Sequence, residues 1–122
     1  MNLKEIENLV VYGSGKCAES CLKQLGLSVD DVTVVSSFEN ESLYGKEAIP
    51  LDRLDEKLPY TVIIASEFVA EIFSLIKQSL LNFVRIYCYL PDRGELIDIE
   101  KHLRLNSSEN TLYAFYDLEL NA

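Results

Sequence analysis

Gly13-Ser14-Gly15-Lys16-Cys17-Ala18 follows directly on the apolar run Leu9-Val10-Val11-Tyr12. The spacing Gly13-x-Gly15-x-x-Ala18 is the small-residue fingerprint with which dinucleotide-binding βαβ units begin. In that pattern the first glycine makes the tight turn, the second lets backbone approach a pyrophosphate, and the small third residue lets helix and strand pack closely. Backbone amides from Ser14 to Ala18, exposed at the first turn of a helix, can cradle a phosphate without side-chain chemistry. Lys16 either adds a charge there or points into water. The competing reading is a βα turn that needs glycine for its backbone and binds nothing.

A dinucleotide site ordinarily carries an acid at the end of its second strand to accept hydrogen bonds from ribose hydroxyls. Here that position reads Val35-Ser36-Ser37-Phe38. Ser36 and Ser37 can hydrogen-bond a ribose or a phosphate but lack the bidentate carboxylate, and Glu39 or Glu41 would have to fold back to replace it. This weighs against ordinary NAD binding, and with no arginine nearby NADP lacks its usual 2′-phosphate partner. A P-loop fails twice, because Val10 stands five residues before Gly15 and Cys17 follows Lys16. The acids that flank the glycine turn of methyltransferases are missing as well.

The inventory for catalysis is thin. His102, the only histidine, sits in Lys101-His102-Leu103-Arg104, a charged stretch that suits a solvated residue better than a general base. A Tyr-x-x-x-Lys dyad on a later helix is absent, since Tyr12 leads only to Lys16 inside the turn. Ser66-Glu67, just after the third apolar run, can touch a phosphate or sugar at the ligand edge of such sheets, or simply cap a helix. Cys17 and Cys21 lie one helical turn apart, but Cys88 and His102 complete no familiar zinc spacing, so no metal site is expected and the cysteines pack a helix on a sheet.

The elements that must position these residues follow from hydrophobic periodicity. Short apolar runs near 8–12, 32–35, 60–65 and 84–89 alternate with helical patterns, the signature of a parallel sheet covered by helices. A first helix is expected over Cys17–Leu25, with Cys21, Leu22 and Leu25 facing the sheet and Gly26 as its left-handed cap. Residues 36–59 read as an irregular crossover in which Leu51, Leu54 and Leu58 line one face of a short helix. Glu67–Leu81 reads as a helix with Phe68, Ile72, Leu75, Ile76 and Leu80 on one face and Ser66 as cap. From Glu95 to about Leu105 the pattern suits a helix, although Glu95–Ile99 equally suits a strand. The run 111–119 has strand propensity and is either the fifth strand of the sheet or the opening strand of a further domain.

The chain has 122 residues, 48% hydrophobic and 25% charged, which suits one globular domain with a real core. No apolar run reaches the roughly 18 residues of a membrane span. Met1-Asn2-Leu3-Lys4-Glu5 opens with mixed charge and no extended apolar core, so no secretory signal and a cytoplasmic location are expected. Three cysteines, an odd number, point to reduced thiols. With 20 acidic against 11 basic residues the net charge is −9, a field that repels nucleic acid but leaves room for a small phosphorylated ligand at a helix N-terminus.

Over about residues 8–90 the chain resembles the Rossmann-like N-terminal domains of bacterial surface-sugar enzymes, the sugar O-acyltransferases and nucleotide-sugar dehydratases, and related CoA-binding domains. The likeness rests on Val10-Val11-Tyr12-Gly13-Ser14-Gly15-Lys16-Cys17-Ala18, on Gly45 with Ile49-Pro50-Leu51 and Leu54, and on Tyr60-Thr61-Val62-Ile63-Ile64-Ala65-Ser66. It implies a single three-layer α/β Rossmann-like domain over 1–122, with a mostly parallel sheet of about five strands. It also implies NAD(P), CoA or a nucleotide-sugar as ligand, with Gly13, Ser14, Gly15 and Lys16 along the phosphates, Cys17 and Ala18 continuing the cradle, Ser36 and Ser37 near the nucleoside, and Ser66 near the distal group. The expected partners are therefore this small phosphorylated nucleotide ligand and either a second copy in a homo-oligomer or a following catalytic domain. Catalysis by this chain alone is not expected; the alternative role is a degenerate, non-binding domain for assembly or docking.

Overall fold

The computed structural model describes residues 3–100. Five strands form the main sheet: β1 (Leu9–Tyr12), β2 (Thr33–Val35), β5 (Pro59–Ile64), β6 (Asn82–Leu90) and β7 (Glu95–Asp98), in the order β2-β1-β5-β6-β7. The first four pair in parallel, and β7 returns antiparallel to β6 with Leu96 opposite Tyr89. A two-stranded hairpin, β3 (Ser42–Leu43) and β4 (Lys46–Glu47), lies between β2 and β5 in the chain. Alongside three 3-10 turns, two α-helices are bounded within the described residues, α1 (Lys16–Leu25) after β1 and α2 (Val69–Gln78) after β5. Neither is long and apolar enough to cross a membrane. The expected α/β class with a mostly parallel, five-stranded sheet is what the described residues show.

Successive strand residues point to opposite faces of a sheet, so a run such as Leu9-Val10-Val11-Tyr12 must find apolar cover on both sides. Leu9 and Val11 share one core with Ala18, Cys21 and Leu22 of α1, together with Ile63 and Tyr89. Val10 and Tyr12 share the other with Val69, Ile72 and Ile76 of α2, together with Val62 and Ile64. Helix α1 stops at Gly26, whose left-handed backbone (φ 66°) lets its N–H reach back to the last turn. The buried Tyr89 hydroxyl sits among Ser20 Oγ and Gln24 Oε1, so its polar end is satisfied as its ring fills the α1 core.

Several expectations are corrected. Helix α2 begins at Val69, not Glu67, and ends at Gln78. Ser66 Oγ accepts from Phe68 N–H at 3.1 Å and closes a local turn ahead of the helix, without capping it. Packing on the sheet buries Val69 with the expected Ile72 and Ile76, while Phe68 at the N-cap, Leu75 and Leu80 beyond the helix end are exposed. The fifth strand of the sheet is Glu95–Asp98, where the strand alternative applies, and residues 99–100 are helical; the rest of the expected helix to Leu105, the 111–119 run and His102 lie outside the described residues.

Residues 36–58 hold more order than their polarity suggested. Tyr44 and Gly45, the two loop residues between β3 and β4, both have positive φ (47° and 79°), the condition for a two-residue hairpin turn that matches strand twist. Leu43 plugs the α1 core, and Lys46 Nζ donates to the Val29 carbonyl at 3.1 Å. Ile49 then runs parallel to β2, bridging Val35, with Ser36 N–H donating to its carbonyl. The expected short helix is a single 3-10 turn, Leu51–Arg53, with Leu54 buried behind it and Leu58 exposed.

Candidate functional site

The first crossover leaves β1 toward β2 on one side, and the next connection carries the chain back past β1 to β5 on the other. In open α/β sheets the crevice beyond the carboxyl ends of two such strands is where ligands settle. Here those ends are Tyr12-Gly13 and Ile64-Ala65-Ser66, and a cavity of about 670 Å³ opens above them. Pockets for small organic ligands run from about 300 to 1,000 Å³.

The glycine turn is built by contact with β5. Gly13 has φ 143°, and a Cβ placed on it would lie 2.2 Å from the Ala65 carbonyl oxygen. Its N–H donates to Val35 O at 2.9 Å, while Ala65 N–H donates to Tyr12 O at 3.0 Å, so the turn is fastened to both neighbouring strands. Ala18 is fully buried, 3.7 Å from that same hypothetical Cβ, which accounts for the small third residue by packing alone. Gly15 is different. It is the N-cap of α1, with an ordinary extended backbone (φ −93°, ψ −159°) and nothing within 4 Å of a Cβ built on it. Among the described residues no packing contact requires glycine at that position, which borders the cavity.

Of the residues expected to contact a ligand, Gly13, Ser14, Gly15, Lys16, Cys17, Ser36, Ser37 and Ser66 line this cavity and Ala18 does not. Three elements therefore converge: the β1-α1 turn, the loop after β2 and the turn after β5. The serine hydroxyls are held by the scaffold. Ser36 Oγ accepts from Phe38 N–H at 3.1 Å, and Ser37 Oγ lies 2.6 Å from the Tyr12 hydroxyl, which ties the loop after β2 to the end of β1. The first helical bond of α1 runs from Glu19 N–H to Gly15 O at 3.0 Å. Helix geometry gives the first-turn amides no intrahelical acceptor, and the macrodipole makes that end attractive to an anion.

Glu41 does fold back. It lines the cavity and accepts from Ser14 Oγ at 3.4 Å, its backbone carbonyl held by Ala48 N–H at 2.9 Å, so a carboxylate stands beside the glycine turn although the second strand ends in serine. Sequence reasoning missed the aromatic walls Phe38 and Phe68, which are 66% and 54% exposed, and the acid Glu71. Phe38 stands alone among polar residues, a signal that was there to use; Phe68 was misplaced by starting α2 too early. Among the lining residues Lys16 is the one cation against Glu41, Glu67 and Glu71. Lys16 and the α1 N-terminus favour negative charge, against which stand the three carboxylates, Glu41 beside the glycine turn among them.

Cys17 is partly buried at the cavity wall, while Cys21, one turn further along α1, is fully buried and its thiol is pushed up from 9.0 to about 12, chiefly by burial and secondarily by the charge of Cys17. No cluster of three or more His, Cys, Asp or Glu able to hold a metal occurs among the described residues. A scan of protein-family models and searches of curated proteins and of solved structures found no match to this chain.

Proposed function

We propose that the chain is a three-layer, Rossmann-like module that binds a small phosphorylated nucleotide ligand, of the NAD, CoA or nucleotide-sugar kind, in nucleotide-sugar or surface-polysaccharide metabolism. The observation that carries this is the contrast between the two glycines: Gly13 is demanded by the fold, whereas among the described residues nothing lies within 4 Å of a Cβ on Gly15, which borders a cavity of about 670 Å³. A backbone bared toward a helix N-terminus, with no packing cause, suits close approach of a phosphate. Glu41 is placed to accept from a ribose diol, the task of the acid missing from the second strand. Glu41, Glu67 and Glu71 make a 2′-phosphate unwelcome, which favours NAD over NADP. No nucleophile, base and orienting group converge among the described residues, so the proposed role is binding, with chemistry supplied by a following domain or a partner.

Calorimetric titration of the chain with NAD, NADP, CoA, UDP-sugars and S-adenosylmethionine tests the reading, and no binding at millimolar concentration overturns it. Gly15→Val is the control. Because its backbone suits any residue and its Cβ meets nothing, the variant should stay folded, losing at most about 1 kcal/mol of capping preference, while affinity falls at least about tenfold.

A further inference from the structure

The order β2-β1-β5 sets the loop after β2 and the turn after β5 on either side of the end of β1. Phe38 comes to the cavity from the first and Phe68 from the second. Among the described residues neither ring belongs to either core, so the fold gives no reason for an aromatic residue at either position. Planar bases stack on such rings, and every base has a face to offer. Stacking therefore accounts for a base in this cavity but does not choose one.

The choice falls to the side chain beside Phe68. Phe68 is the N-cap of α2 and Glu71 follows at i+3, the spacing that keeps two side chains on one helix face. Glu71 lines the same cavity, and among the described residues it takes part in no ion pair. An ionised carboxylate only accepts hydrogen bonds, and it accepts two in parallel from a pair of adjacent donors. On its pairing edge uracil sets one donor between two acceptors, and cytosine and adenine set one donor beside an acceptor. Guanine alone sets two donors together, N1–H and the N2 amine. We propose that the ligand is a guanine nucleotide, its base stacked on Phe38 and Phe68 and its N1–H and N2 amine donating to the Glu71 carboxylate. The inference rests on the reading that the phosphates lie at the glycine turn, and it narrows that ligand to one base. Adenine and uracil nucleotides keep the phosphate and ribose contacts and bind more weakly.

The test is calorimetry on the whole chain with the diphosphates of guanosine, inosine, adenosine and uridine. GDP should bind at least about tenfold more tightly than IDP, which lacks only the N2 amine, and than ADP or UDP. Glu71→Gln alters an exposed residue, and a melting curve confirms that the variant is folded. It should erase the preference for GDP over IDP and turn it toward xanthosine diphosphate, whose 2-carbonyl accepts from the new amide. Phe68→Leu should weaken GDP and ADP together by about fivefold or more and leave their ratio unchanged. Binding of IDP, ADP or UDP as tight as that of GDP, or a GDP preference that survives Glu71→Gln, overturns the guanine assignment and leaves the phosphate site standing. A Phe68→Leu variant that binds GDP as the parent does overturns the stacked base. Failure of all four diphosphates to bind overturns the guanine assignment and the nucleotide reading together.

Discussion

At Gly13 and Gly15 the same residue type does two different jobs two positions apart. Gly13→Ala must push a methyl into the Ala65 carbonyl from a backbone conformation that L-residues rarely adopt, and it should cost about 2–3 kcal/mol, read as a lowered midpoint in chemical denaturation. Glu41→Gln keeps the shape of the side chain but removes its charge; NAD affinity should fall about tenfold with melting unchanged, since charge-assisted hydrogen bonds contribute roughly 1.5–3 kcal/mol. Cys21 sets an alkaline limit. Its thiol titrates near 9.0 in the unfolded chain and near 12 when folded, so the native state holds the proton longer. That stability is intact below pH 9 and drains away between pH 9 and 12, and denaturation of Cys21→Ala across that range should show a shallower loss than the parent.

The hairpin β3-β4 decides whether Glu41 is in the site. Its turn needs two positive φ angles, and Gly45→Val puts a β-branched residue at φ 79°, which should cost about 1–2 kcal/mol and shift Tm down by about 5–10 °C. Gly45→Asn, a residue that tolerates this conformation, should recover most of the loss. Because Glu41 O is held by Ala48 N–H just beyond β4, Gly45→Val should also weaken ligand binding, and titrating the two variants side by side separates turn geometry from loss of glycine as such. The hairpin was illegible in the sequence because its strands are two residues each and too short to show alternation. Strands β1, β2, β5 and β6 and helix α1 were legible to within a residue or two, since the strands carry apolar runs shared between the two cores and α1 keeps Ala18, Cys21 and Leu22 on one buried face. Helix α2 was legible as an element but not in phase: Phe68, Leu75 and Leu80 fit the periodicity as well as Val69, and only packing chose between them.

For the whole molecule, a net charge of −9 around a cavity with one cation and three carboxylates predicts unusual salt behaviour. Raising ionic strength screens the repulsion that an approaching phosphate meets, so the association rate for an anionic nucleotide should rise with salt, the reverse of a basic site; stopped-flow measurements between 20 and 200 mM salt check this. By itself the sequence determined the α/β class, the parallel character of the sheet, the position of the glycine turn and the small residue at Ala18, because these depend on periodicity and local backbone demand. Every residue it named for ligand contact except Ala18 lines the cavity, but the remaining walls, Phe38, Phe68 and Glu71 among them, were not named. Tertiary structure alone decided that Gly13 is locked by Ala65 while Gly15 meets no neighbour among the described residues, that Glu41 stands beside the glycine turn, and that Glu95–Asp98 pairs with β6. Each of these turns on atoms far apart in the chain meeting across the end or edge of the sheet, a relation that no local pattern of residues encodes.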